Sequence, residues 1–194
     1  MKFKKKIILA SSSPRRYNLL NQIGVDFEIQ PSEIEEIFDP SKSPIENAVF
    51  LSEAKAQQVA GNIDNGFVVG ADTIVVLNGE LMGKPGSERD AFQMLRKLSN
   101  KEHKVITGFT IIDKPSNKKV SDYELTLVKF REIEDEEIME YITTQSPIDK
   151  AGAYGIQDDF GAIFVEKING CFYNVVGFPL TKFYLTLKKF QKEI

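Results

Sequence analysis

The first residue of this chain that asks for a chemical explanation is an aspartate. Phe67-Val68-Val69-Gly70-Ala71-Asp72-Thr73-Ile74-Val75-Val76-Leu77 is its most strongly apolar run and reads as a buried strand. A carboxylate there is costly unless it is paired, hydrogen-bonded or metal-bound. The small neighbours of Asp72 leave room for something to approach. One reading gives Asp72 an arginine or a backbone N–H at a strand bend, and the other makes it a point of chemistry.

Cations elsewhere weigh on that choice. In Ser11-Ser12-Ser13-Pro14-Arg15-Arg16, Ser13 then Pro14 is a helix start, with a hydroxyl N-cap and proline at the first helical position. Arg15 and Arg16 fall in the first turn, where the macrodipole disfavours cations. Hydroxyls of Ser11 and Ser13, helix N–H groups and two guanidiniums make an anion site, and a phosphate turns the placement favourable. The alternative is two exposed arginines on a surface helix. Lys55 sits within the apolar face of a second helix, formed by Ile45, Ala48, Leu51, Ala56 and Val59. Its ammonium either snorkels to water, the commoner case, or points into a cleft. Lys84 is fixed between Gly83 and Pro85. The segment is no P-loop, because Pro85 stands where Ser or Thr should bind a metal.

Arg15, Arg16, Lys55 and Lys84 suit a polyphosphate, and Glu36 and Asp72 can hold a divalent cation or activate water. Gln157, which closes the glycine-rich stretch 149–157, offers a donor and an acceptor, as a base-reading group would. The single histidine, His103, reads as structural, which argues against a Ser–His–Asp set. One cysteine, Cys171, excludes an internal disulfide and a cysteine-rich metal site. What remains is metal-assisted attack of water on a phosphoanhydride.

The elements that must position these groups follow from periodicity and punctuation. Strands are expected at 6–10, 25–30 and 67–77, with Asn78-Gly79 turning the last into a short return strand at 80–82. Residues 103–113 and 119–130 read as a long hairpin, and 162–168 and 171–176 as strands joined by Asn169-Gly170. Helices are expected after Ser13, from the capping box Ser43-Pro44-Ile45-Glu46 to about residue 60, after Ser87, after Glu134 and after Pro179. Early alternation and later hairpins predict a mixed sheet with packed helices rather than a doubly wound parallel fold.

With 194 residues the chain suits one domain, or one domain drawn out into two lobes. A net charge of −3 gives no reason to expect a nucleic-acid or membrane-surface partner. The basic cluster at residues 2–6 precedes an apolar run too short for a signal segment, no stretch approaches transmembrane length, and a cytoplasmic protein is the default.

Ala10-Ser11-Ser12-Ser13-Pro14-Arg15-Arg16, Gly70-Ala71-Asp72-Thr73, Gly83-Lys84-Pro85, His103-Lys104-Val105-Ile106-Thr107-Gly108, the stretch 149–157 and Asn174-Val175-Val176-Gly177-Phe178-Pro179-Leu180 together resemble the Maf family, in family order over essentially the whole chain. The resemblance implies a single Maf-type α/β domain over residues 1–194, Maf/ITPase-like, with an elongated mixed β-sheet, flanking helices and two lobes around a central cleft. It also implies a nucleoside triphosphate pyrophosphatase that cleaves between the α- and β-phosphates, uses a divalent metal cation (Mg²⁺ or Mn²⁺) and forms a homodimer. By the same resemblance Asp72 matches the family's proton-accepting aspartate. Glu36, Lys55 and Lys84 match its other cleft charges, and Ser11, Ser13, Arg15 and Arg16 its phosphate-binding turn.

The family divides by substrate, and Arg15, Thr73 and Gln157 resemble the branch acting on dTTP and UTP. A neutral amide matches the mixed donor and acceptor edge of uracil or thymine, whereas a glutamate suits a cationic methylated guanine. Departures from the pattern are Phe178 where Leu is usual, and Asp158-Asp159 after Gln157, at the expected cleft rim. Two alternatives stand beside this reading. One is a cleansing task on modified pyrimidine triphosphates such as pseudo-UTP or 5-methyl-UTP. The other is a nucleotide-binding regulator of cell division with little turnover.

Overall fold

Short strands separated by helices open the chain, and longer paired strands follow. The computed structural model describes residues 3–194. In order they form β1 (Ile7–Leu9), α1 (Pro14–Gln22), β2 (Phe27–Ile29), α2 (Pro44–Ala60), β3 (Gly66–Leu77), β4 (Glu80–Met82), α3 (Glu88–Leu98), β5 (Glu102–Lys114), β6 (Lys119–Phe130) and α4 (Asp135–Thr143). Two 3-10 turns (Ser146–Asp149 and Ala151–Ala153), α5 (Asp159–Phe164), β7 (Val165–Asn169), α6 (Phe172–Val176) and α7 (Leu180–Glu193) complete it. Among the described residues the strands make a seven-stranded sheet in the order β2-β1-β3-β5-β6-β7, with β4 also on β3. It is mixed: β1 runs parallel to β2 and to β3, while β3/β4 and β6/β7 are antiparallel. No described helix is long and apolar enough to cross a membrane.

The chain divides into two compact units. The first is Met1–Asp72, Thr107–Glu124 and Gly177–Ile194, and the second is Thr73–Ile106 and Leu125–Val176. Within the first, Ile8, Ala10, Ala56, Val59, Ala60, Val68 and Ile112 form a core where α2 lies on the sheet. Phe109, Phe178 and Phe183 pack their rings together beside it. Two glycines set the depth of that packing. A Cβ on Gly70 of β3 would collide with the Ser52 carbonyl and lie 2.7 Å from the Ala56 nitrogen. A Cβ on Gly108 of β5 would lie 2.5 Å from the Ala48 carbonyl. Both strands lack a side chain where the backbone of α2 comes closest, so the room beside Asp72 is filled by a helix.

In the second unit His103 packs edge-on against Phe130 and Tyr154, and its Nε2 meets the Tyr154 hydroxyl at 2.7 Å. Burial pushes the His103 pKa down to about 4, so the ring is neutral at physiological pH, in keeping with its structural reading.

Three sequence expectations are corrected here. Residues 162–164 finish a short helix, so that strand is confined to β7, and within the expected strand 171–176 residues 172–176 form α6. A short apolar run fits either state by pattern. Here Thr126 Oγ1 accepts from the Cys171 N–H at 3.0 Å and donates to its carbonyl at 3.2 Å, which uses up the groups that would begin a ladder. The expected Ser13 hydroxyl cap is also absent: the side chain makes no capping bond, and the Ser13 N–H donates instead to Ser11 Oγ at 3.2 Å. Of the basic cluster, Lys2 lies outside the described residues. Lys5 pairs with Asp113 and Lys6 with Glu28, both at 2.5 Å.

Candidate active site

α2 is where sequence becomes chemistry. Its capping box forms as expected, with Ser43 Oγ accepting from the Glu46 N–H and Glu46 Oε2 from the Ser43 N–H. The helix so fixed aims Lys55 at the sheet, where the side chain is only 7% exposed. Its ammonium does not snorkel. Nζ donates to Asp72 Oδ1 at 2.5 Å and to Glu36 Oε1 at 2.7 Å, joining a buried carboxylate of β3 to an exposed one of the loop before α2.

The loop is pinned from the same helix. Buried Asn47 accepts from the Asp39 N–H at 2.8 Å and donates to the carbonyls of Asp39, Lys42 and Ser43. Gln58 Oε1 accepts from the Ser32 hydroxyl and the Glu33 N–H at 2.6 and 2.8 Å. Sequence reasoning missed both residues. An asparagine on the buried side of an amphipathic helix was the available signal, since a buried amide is worth its desolvation only when its hydrogen bonds are made.

Arg16 is buried as well. Nε donates to the Gly177 carbonyl at 3.0 Å and Nη1 to Ser11 Oγ at 3.1 Å. Burial lowers its pKa, while Asp72 and Glu36 favour the charged form and Arg15 opposes it. Asp72 shows the reciprocal balance: burial raises its pKa, against the opposing pull of the Lys55 ammonium and, less strongly, Arg16. Its proton affinity therefore exceeds that of a solvated aspartate.

The first unit thus brings together Ser11, Arg16, Glu36, Lys55 and Asp72, with Ser13 and Arg15 half-buried on the same turn. Thr73, Lys84 and Gln157 belong to the second unit, Thr73 half-buried in β3 and the other two exposed. Gln157 Nε2 donates to Asp158 Oδ1 at 2.6 Å. Among the described residues no three His, Cys, Asp or Glu side chains form a metal-holding group. The pair Glu36 and Asp72 is the donor set available. Two carboxylates suit a hard divalent ion whose other positions are filled by substrate phosphates and water, so the residues fit such an ion at that level.

The family model described as Maf, Maf-like protein, matches residues 6–190. Among curated relatives, a protein named dTTP/UTP pyrophosphatase from Caldicellulosiruptor saccharolyticus is 48% identical over 189 residues, covering 95% of this chain and 94% of its own. Proteins of the same name from Ruminiclostridium cellulolyticum (47% identical, 98% of both chains) and Carboxydothermus hydrogenoformans (48% identical, 95% of this chain and 98% of its own) match comparably.

Proposed function

Because this chain belongs to the Maf family, we propose that it is a nucleoside triphosphate pyrophosphatase that hydrolyses dTTP and UTP to the monophosphate and pyrophosphate. The observation that carries the mechanism is the buried Asp72 carboxylate held on Lys55. Water attacks the α-phosphorus, its proton passes to Asp72 Oδ2, opposite the oxygen that Lys55 holds, and the bond to the bridging oxygen breaks as pyrophosphate departs. Burial makes Asp72 a stronger base than a solvated aspartate, and the Lys55 ammonium opposes that rise.

Arg16, Arg15, Lys55 and Lys84 neutralise the phosphates, with Ser11 and Ser13 as hydroxyl partners. Thr73 and Gln157 serve base recognition. Glu36 and Asp72 are the residues to hold Mg²⁺ or Mn²⁺, which when bound supplies charge neutralisation at the phosphoryl oxygens. We place the enzyme in the cytoplasm as a homodimer without nucleic-acid or membrane partners, and count modified pyrimidine triphosphates among its substrates.

Pyrophosphate release from dTTP and UTP with and without Mg²⁺ or Mn²⁺ tests the activity, and a panel including pseudo-UTP and 5-methyl-UTP tests the cleansing role. Asp72→Asn is expected to lose about 10²–10⁴-fold in kcat. Wild-type turnover in that variant removes the mechanism, and no turnover of any triphosphate removes the function. Size-exclusion chromatography with light scattering checks the dimer.

A further inference from the structure

Among the described residues Lys150 is, with Lys55, a buried lysine, only 7% exposed. It donates to the Ser146 carbonyl and to Asp149 Oδ1, and pairs with Asp158 Oδ2 at 2.8 Å. The Ser146 hydroxyl donates to the same Oδ2 at 2.9 Å. Gly155 lies against the pair, since a Cβ there would come 2.8 Å from Lys150 Cε and collide with Asp158. A carboxylate accepts hydrogen bonds and does not donate them. The remaining oxygen, Oδ1, is 2.6 Å from Gln157 Nε2. The amide of Gln157 is therefore not free to turn over. Its NH₂ is committed to Asp158, and Oε1 with the second N–H forms the edge left for a ligand.

That commitment matters because a glutamine by itself cannot tell uracil from cytosine. Uracil presents N3–H beside an acceptor, and cytosine an acceptor N3 beside an amino group. An amide matches either by rotating half a turn. We propose that Asp158, locked by Lys150 and Ser146, is a positioning residue that fixes one orientation of Gln157 and so makes the enzyme select uracil and thymine over cytosine. This rests on the reading of Gln157 as the base-recognising side chain.

The test is kcat and KM for UTP and CTP in the wild type, Asp158→Asn, Asp158→Ala and Gln157→Ala. In Asp158→Asn the new carbonyl stays with Lys150 and Ser146 and the new NH₂ faces Gln157, which forces its amide over. UTP is expected to lose and CTP to gain, so that the ratio of their kcat/KM values shifts about tenfold or more towards CTP, the scale of one hydrogen bond. Asp158→Ala, with the amide free, is expected between the two and serves alone if Asp158→Asn does not fold. A structural role would instead weaken both nucleotides alike. An unchanged ratio in the Asp158 variants, with a changed one in Gln157→Ala, overturns the positioning role and spares the base-reading one. An unchanged ratio in Gln157→Ala overturns both, and no hydrolysis by the wild type removes the proposed activity itself.

Discussion

Replacing Lys55 by methionine keeps the length of the stem and deletes the ammonium that holds Asp72 at 2.5 Å and Glu36 at 2.7 Å. Glu36 is exposed and recovers water, whereas Asp72, 4% exposed, does not. Breaking a buried pair by removing one partner costs about 3–5 kcal/mol. The cost has an escape, because Asp72 can take a proton. Its pKa in the folded protein is already raised by burial, and loss of Lys55, the largest opposing influence, raises it further. A raised carboxylate pKa means that the folded state binds a proton where the unfolded chain does not. Stability then falls as pH rises from the unfolded value of 3.8 through the raised folded value, and the whole cost is present above it.

Urea unfolding of Lys55→Met against wild type is therefore expected to show a deficit of about 3–5 kcal/mol at about pH 8. The deficit should shrink on acidification, with a limiting slope of about 1.4 kcal/mol per pH unit. In an Asp72→Asn background the same substitution strands no buried carboxylate and should cost about 1 kcal/mol or less, a coupling of at least about 2 kcal/mol across the cycle. A deficit below about 1 kcal/mol that does not vary with pH would refute a charged Asp72–Lys55 pair.

Gly70→Ala drives a Cβ into the Ser52 carbonyl, so α2 must shift; we expect a loss of about 1–3 kcal/mol by urea unfolding and a fall in kcat larger than the unfolded fraction explains. Asn47→Ala removes the amide that ties down Asp39, Lys42 and Ser43, and limited proteolysis should cut residues 33–43 faster while the rest of the chain resists. His103, with its pKa lowered from 6.5 to about 4, leaves the unfolded state binding more protons between those values. Stability should thus drop by about 3 kcal/mol as pH falls across that window, and His103→Phe should flatten that part of the profile. The base limb of kcat/KM for UTP should fall on acidification at a pH above the ordinary aspartate range, because burial raises the Asp72 pKa.

Much of this was legible where a local rule decides the outcome. The capping box opens α2, and Asn78-Gly79, with Asn78 at φ 51° and Gly79 at φ 87°, turns β3 into β4. Asp72 stood out because a carboxylate in an apolar strand violates the pattern around it. What was not legible depends on partners distant in sequence. Nothing near Lys55 says whether its ammonium reaches water or an aspartate. The answer lies in how closely α2 approaches β3, which Gly70 determines from the other element. Residues 171–176 depart from their strand pattern for the same reason: Thr126, far away in β6, takes the backbone groups of Cys171.

These features converge on α2. On its sheet-facing side the helix meets β3 at Gly70 and β5 at Gly108, so its distance from both strands is set by backbone contact with little slack. From that fixed rod Lys55 reaches Asp72 and Glu36, while Asn47 and Gln58 fasten the loop that carries Glu36. A buried ion pair contributes little net stability compared with an apolar replacement, but it demands accurate placement. The charges alone do not supply that accuracy; the two glycines and the buried amide do. Substitutions at Gly70, Gly108 or Asn47 should therefore damage the chemistry without altering a charge, and an apolar change on the exposed face of α2, at Phe50, should leave both the Asp72–Lys55 coupling and turnover as they are.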